Sequence, residues 1–209
     1  IYGDGSAGAI NITANTTWLG NQVPNDNYQF TDVTIAAGAT LTVLSGTVIR
    51  CSGTFKNEGT LNVVRGAYPG LITYSADHTA VEFTPPTLGN ASSAPGAGQV
   101  AAAGTPAFGG QMGIGLGPQR APLVLQPGIF GGSGGASSPL IAGYGGGSLV
   151  VLAQGAITND GGASIIARAL TVANSGGGGG GGGGIVILAS KTSIAQSGTI
   201  DVAGGNGGN

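Results

Sequence analysis

The chain has 209 residues, of which 45 are glycine and 7% are charged, and its formal net charge is −2 at pH 7. Hydrophobic residues make up 41%, which argues against disorder throughout, because disordered segments combine low hydrophobicity with high net charge. Six lysines and arginines give no electrostatic basis for binding nucleic acid or an anionic membrane surface, and no run reaches the roughly 18 apolar residues of a membrane span.

Residues 1–83 contain short runs in which apolar and polar residues alternate, separated by turns that carry glycine. Alternation of this kind predicts half-buried strands, and no helical period is present. Turns spaced this closely are typical of a parallel β-solenoid (β-helix), in which each coil consists of a few short strands. The predicted strands cover residues 10–13, 33–36, 40–43, 47–50, 54–56 and 60–63.

Residues 84–147 differ in composition, since they hold eight of the ten prolines and much glycine, alanine and serine. Proline removes a hydrogen-bond donor from a sheet and glycine weakens strands. This zone is therefore predicted to be a long excursion from the solenoid with little regular sheet. Loops of this length in compact domains are usually functional or mobile.

Residues 148–209 contain an internal repeat of three short strands in the same order. The run 148–153 matches 184–189 at an offset of 36, 156–159 matches 193–196, and 163–167 matches 198–203. Each repeat is predicted to be one solenoid coil followed by a glycine-rich excursion. The first and third zones thus predict one continuous all-β domain with the middle zone inserted in it.

The run of nine glycines at 176–184 has two interpretations. Glycine-rich tracts are usually flexible linkers. This tract instead joins one strand set to its own repeat, which favours extended, polyproline-II-like geometry packed against the other glycine segments 131–135, 143–147 and 204–208. In that case Gly176, Gly180 and Gly184 are structural positions at which a side chain would clash.

Side chains that carry chemistry are few and scattered. The eight carboxylates show no paired spacing, and His78 is the only histidine, so no catalytic, cofactor or metal site is predicted. The single Cys51 lies in an apolar, alternating run and is predicted to be buried. Thr40 and Thr42 raise the possibility of an ice-binding array, but the threonine spacing does not persist along the sequence.

Aromatic residues are the better candidates for binding, because rings at loop tips give a large contact area at low entropic cost. Packing beneath a loop is the equally good alternative for each of them. The aromatic residues in turn-rich sequence are Trp18, Tyr28, Phe30, Tyr68, Tyr74, Phe108, Phe130 and Tyr144. Five of these are predicted as receptor contacts, namely Phe108, Phe130, Tyr144, Tyr68 and Tyr74.

Two sets of motifs stand at the ends of the chain. The opening "YGDGSAG" precedes the strands "VTIAAGATLTV", and the poly-glycine tract continues into "GGIVIL" and "GTIDVAGGNGG". With these motifs both ends of the chain resemble a class of phage virion and tail-associated proteins. The resemblance implies a solenoid fold in a virion setting and carries over no catalytic residues. The middle of the chain is not matched, as expected of a region in which binding specificity varies.

Composition and resemblance together predict a non-enzymatic virion protein at the extracellular surface of a phage, most simply a tail-fibre, tail-tip or spike component. Its expected partners are other virion proteins and a host cell-surface glycan or protein, and it is expected to be a homo-oligomer, with a trimer as the commonest arrangement of fibres. Three alternatives remain open: a capsid decoration or head-fibre protein, a bacterial surface filament subunit, and a glycan-degrading β-helix enzyme whose acidic residues align across coils.

Overall fold

The computed structural model describes residues 1–18, 27–64, 99–100, 136–137, 146–169 and 182–206. Within these residues the secondary structure consists of short β-strands and includes no helix, so no helix there could span a membrane. The strands are β1 Ile10–Ile12, β2 Thr16–Trp18, β3 Gln29–Phe30, β4 Val33–Ile35, β5 Thr40–Leu44, β6 Thr47–Cys51, β7 Phe55–Asn57, β8 Thr60–Val64, β9 Gln99–Val100, β10 Ala136–Ser137, β11 Ser148–Ala153, β12 Ile157–Asn159, β13 Ser164–Ile166, β14 Ile185–Ser190, β15 Ile194–Gln196 and β16 Thr199–Asp201.

Three main sheets are formed, and every pairing between described strands is parallel. Sheet A has the order β1-β4-β7-β12-β15, sheet B the order β2-β5-β8-β13-β16, and sheet C the order β3-β6-β11-β14. The short strands β9 and β10 pair separately. These findings confirm the prediction of an all-β chain with parallel sheets.

Successive strands visit the three sheets in a fixed order, C, then A, then B. One strand from each sheet is called here a tier. The second to fifth tiers are β3–β5, β6–β8, β11–β13 and β14–β16, and the first tier contains β1 and β2. The third to fifth tiers each stack on the previous one through parallel ladders in all three sheets, and the second tier pairs with the first in sheets A and B.

The core lies between the three sheets and is filled by every second residue of each strand. In sheet A, for example, Val33, Phe55 and Ile157 are paired in register and are all buried. The intervening residues Thr34, Lys56 and Thr158 face outward and are half-buried or exposed, which is the alternation expected of a sheet with one face in the core.

The two apolar strands of sheet C, β11 and β14, do not show this alternation, and their register differs from the one predicted. All six residues of β11 are buried. The equally apolar run 185–188 in β14 lacks alternation, a pattern expected of a strand buried on both faces, but β14 is only half-buried because no described strand pairs with its other edge. The register also differs from the expected offset of 36, since Ser148 pairs with Ile185 and not with Gly184, an offset of 37.

For two of the aromatic residues in turn-rich sequence the structure decides in favour of packing over exposure. Trp18 ends β2 and Phe30 ends β3, and each side chain is 1% exposed. Their rings stack at a centroid distance of 5.5 Å, and the ring of Tyr28 meets Trp18 edge-on at 6.0 Å. These residues fill the core near the first tier.

Cys51 lies in the core at the end of β6, as predicted, and burial raises the pKa of its thiol to about 12, with the nearby charge of Asp32 adding to the effect. Since the thiolate is the reactive form, we expect Cys51 in the folded protein at pH 8 to react with a disulfide reagent such as DTNB about a thousandfold more slowly than an exposed thiol with a pKa of about 8.5. The same reaction in guanidinium chloride should release one thiol per chain. Rapid labelling without denaturant would contradict the burial of this tier.

Candidate functional site

The longest connections between consecutive tiers, called here insertions, all join a strand of sheet B to a strand of sheet C. This passage is called here the exit corner. Between β5 and β6 this passage takes only residues 45–46, with Gly46 at a positive φ of 91°. In the other tiers it contains residues 19–28, 65–147 and 167–184. The passages at the other two corners are short, as at 52–54 between sheets C and A and at 58–59 between sheets A and B.

At the exit corner the returning chain runs directly beside the chain of the next tier. The N–H of Gly146 donates to the carbonyl of Gly182 at 2.8 Å, and the N–H of Ile185 donates to the carbonyl of Gly147 at 2.9 Å. The N–H of Gly184 donates to the carbonyl of Val202 at 3.1 Å. The last glycines of the poly-glycine tract therefore enter the sheet as ordered backbone.

Side chains cannot be accommodated where these backbones meet. A Cβ on Gly184 would overlap the carbonyl oxygen of Ala167 and lie 2.6 Å from that of Gly147, and a Cβ on Gly146 would overlap the same Ala167 oxygen. Real Cβ atoms do not approach other atoms this closely. Gly184 is thus placed where only glycine fits, whereas Gly176 and Gly180 lie outside the described residues.

The five predicted receptor contacts share one location in the topology. Tyr68, Tyr74, Phe108, Phe130 and Tyr144 all belong to the passage 65–147 between β8 and β11, although they lie outside the described residues. Because the ends of that passage are fixed at Val64 and Ser148, the segment that carries them is attached to the exit corner.

The opening glycine-rich motif lies against the first strands of sheet C. The N–H of Ala7 donates to the carbonyl of Gln29, and the N–H of Thr31 donates to the carbonyl of Gly8, both at 2.9 Å. Gly3 has a positive φ of 83°, and a Cβ there would lie 2.9 Å from the Cβ of Arg50. The motif resembling "YGDGS-G" openings is accounted for here by backbone packing and not by ligand chemistry.

Two carboxylates from neighbouring tiers meet on the outer surface beside sheet A. Lys56 forms an ion pair with Glu58 and reaches Asp160 at 3.7 Å. The hydrogen bond and charge of Glu58, followed by the charge of Asp160, raise the pKa of Lys56. One lysine thus compensates both acids, which gives an exposed ion-pair cluster. Among the described residues no three acidic, cysteine or histidine side chains come close enough to hold a metal ion, and His78 lies outside them.

The outer face of sheet B carries a column of hydroxyl groups that the sequence spacing conceals. Thr40, Thr60, Ser164 and Thr199 are paired in register although they are unevenly spaced along the chain. The next outward column does not continue the pattern, because Thr42 and Asn62 are followed there by Ile166 and Asp201. A flat threonine array of the kind considered for ice binding is therefore not formed across this face.

The outer face of sheet C carries one apolar column. Val48, Val150 and Ile187 lie side by side in register and point away from the core. Val150 and its outward neighbour Leu152 are at most 1% exposed, so the middle of this face is already covered within the chain. Val48 and Ile187 are half-buried, and the neighbouring outward column contains the polar residues Gln29 and Arg50.

No protein-family model, curated protein or solved structure matches this chain.

Proposed function

We propose that the chain is a parallel β-solenoid whose tiers are successive coils, and that it serves as a rigid scaffold displaying long insertions from one corner. The observation that carries the proposal is the exit corner: residues 65–147 and 167–184 both leave between sheets B and C. Binding residues are commonly found on loops that a rigid scaffold positions. Glycines at the base of each insertion, such as Gly146 and Gly184, bring the returning chain back into register.

Within this proposal the protein is a non-enzymatic attachment protein of a phage particle, a tail-fibre, tail-tip or spike component that contacts a glycan or protein of the host surface. Support comes from the resemblance of both chain ends to virion proteins and from the placement of five aromatic residues in a single insertion. The near-neutral charge of −2 favours contacts made by aromatic and polar groups over electrostatic attraction.

A second candidate, a capsid decoration or head-fibre protein, is favoured by two half-buried apolar residues on the outer face of sheet C. Val48 and Ile187 flank the buried Val150 there, and partly exposed apolar surface of this kind can pack against another subunit. In this case the principal partner is another virion protein and attachment to the host is secondary.

Replacing residues 65–148 with Ser-Gly tests the first candidate. Ser45 and Gly46 make the same passage between β5 and β6. Leu44 before that dipeptide pairs with Val64, and Thr47 after it pairs with Leu149. A Ser-Gly link from Val64 to Leu149 should therefore join β8 to β11 in register. We expect binding of labelled protein to host cells to be saturable for the full chain and to fall at least tenfold in the shortened one.

A second variant keeps the insertion at full length and carries alanine at the five aromatic positions. It should also lose binding, because these residues are the proposed contacts. Slow reaction of Cys51 with DTNB verifies that the scaffold is folded in each variant. Undiminished binding by both variants would overturn the attachment proposal, and binding to virions but not to cells would favour the decoration protein.

A further inference from the structure

The outer side of β11 is buried although it faces away from the core. Ser148, Val150 and Leu152 are the outward residues of this strand, since the residues between them belong to the core. Val150 is 0% exposed, and Ser148 and Leu152 are each 1% exposed. These three residues are called here the covered patch.

Burial by neighbouring strands does not explain the covered patch. In the same tier, Thr158 of β12 and Ser164 and Ile166 of β13 also point outward, and their strands are likewise paired on both sides. All three are only half-buried. An outward side chain between two parallel neighbours thus keeps part of its surface, whereas Val150 and Leu152 keep at most 1%. A further layer of chain must therefore lie on β11.

The described residues do not supply that layer. The opening motif reaches this face, since a Cβ on Gly3 would lie 2.9 Å from the Cβ of Arg50 and 3.3 Å from that of Gln29. Gln29 and Arg50 nevertheless stay half-buried, so the motif cannot account for complete burial one tier further on. Sheets A and B lie on the inner side of β11, where Leu149 and Val151 join the core.

We propose that the insertion 65–147 folds back over the outer face of sheet C and packs on the covered patch. The inference goes beyond the proposed function, because it states how the insertion is held and applies whether or not the insertion binds a host. If the insertion is held in this way, the aromatic residues that it carries have a defined position relative to the scaffold.

Continuity of the buried surface favours this insertion. It is the insertion that leads into β11, and its last residues, Gly146 and Gly147, are buried together with Ser148. Neighbouring strands of a sheet lie about 4.8 Å apart, so a few residues of the insertion are enough to cover one strand. The insertion also contains apolar runs such as 123–125, whose side chains would leave water in the same contact.

The insertion 167–184 is the other candidate and fits less well. The N–H groups of Ala167 and Ala169 donate to the carbonyls of Asp201 and Ala203 at 2.8 and 2.9 Å. The chain leaving β13 therefore continues beside the next tier of sheet B. Half of the residues 170–181 are glycine, which brings no side chain to an apolar surface.

Thiol reactivity at position 150 tests the proposal. Val150→Cys is made in the full chain and in the chain in which Ser-Gly replaces residues 65–148. Cysteine behaves as a small apolar residue and suits a buried position. We expect the introduced thiol to react with DTNB at least a hundredfold faster in the shortened chain, because thiol reactivity follows exposure. Slow reaction of the native Cys51 shows that each chain is folded.

The matched control is Thr158→Cys, on the outer face of sheet A in the same tier, whose thiol should react rapidly and equally in both chains. A second variant replaces residues 65–145 with a glycine-serine linker of equal length, which keeps the exit corner and should expose position 150 as strongly. Rapid reaction of the introduced thiol in the full chain would overturn the inference. Slow reaction in either folded replacement would also overturn it and would assign the cover to another segment, such as 170–181. Neither result depends on binding to cells.

Discussion

Replacing Asn57 by alanine is expected to lower the free energy of unfolding by about 3 kcal/mol, since each buried polar group left without a partner costs about 1–3 kcal/mol. Asn57 is 0% exposed at the end of β7. Its amide nitrogen donates to the side-chain oxygen of Asn159 at 2.7 Å and to the carbonyl of Ser164 at 3.1 Å. Its side-chain oxygen accepts from the N–H of Gly59 at 3.2 Å. Alanine removes all three bonds.

The hydrogen bond between Asn57 and Asn159 has a particular place in the chain. It joins the tier before the long insertion 65–147 to the tier after it, so it helps to fix the register of two tiers that are remote in sequence. This side-chain to side-chain bond is not repeated in the fifth tier. The residue paired with Asn159 there is Gln196, whose amide nitrogen donates to the carbonyl of Gly198 in its own turn. The effect of Asn57→Ala should therefore reach the tiers that support the insertion.

Guanidinium unfolding followed by circular dichroism measures the effect of Asn57→Ala. The control is Asn62→Ala, which removes a half-buried asparagine from the outer face of sheet B in the same tier and should change stability by less than about 0.5 kcal/mol. Combining Asn57→Ala with Asn159→Ala should cost about 1 kcal/mol less than the sum of the single changes, because they share a hydrogen bond. Equal effects of Asn57→Ala and Asn62→Ala would contradict this role.

The strands of the second and third tiers were largely predictable from the sequence. Each of β4 to β8 turns one face to the core and begins after a short turn, so alternation predicts it to within two residues. β2 and β3 were missed because TTW contains a single apolar residue and β3 has only two residues, so neither shows alternation. Trp18 and Phe30 therefore remained in turn-rich sequence, with exposure and packing as equal alternatives, and pairing of their strands with β5 and β6 decides for the core.

Features that depend on pairing between distant segments could not be predicted. The apolar runs of β11 and β14 match best at an offset of 36, where three residues are identical, whereas the strands pair at an offset of 37. The uneven spacing of Thr40, Thr60 and Ser164 hides their alignment, because an insertion of variable length separates the tiers. The exit corner itself becomes visible only when every strand has been assigned to its sheet.

Replacing Gly184 by alanine is expected to have a second large effect. The added Cβ would overlap the carbonyl oxygen of Ala167 and lie 2.6 Å from that of Gly147. Both are backbone atoms held in the tier, so relief requires the chain entering β14 to move away from β11. Overpacking of this kind costs about 1–3 kcal/mol, and here it should fall mainly on the fifth tier. Hydrogen exchange should therefore accelerate in β14, β15 and β16 before the earlier tiers are affected.

Gly161→Ala is the matched control for Gly184→Ala, because a Cβ at Gly161 meets nothing within 4 Å and the new residue lies in the turn between β12 and β13 of the neighbouring tier. Gly161→Ala should leave the free energy of unfolding and the rates of hydrogen exchange nearly unchanged, because the added methyl group meets no other atom and alanine lowers the entropy of the unfolded chain. If Gly184→Ala also left stability and hydrogen exchange unchanged, the end of the poly-glycine tract would be a linker in which side chains are accepted. Accelerated exchange confined to the fifth tier would instead establish that glycine is required there so that an insertion can return to the scaffold in register.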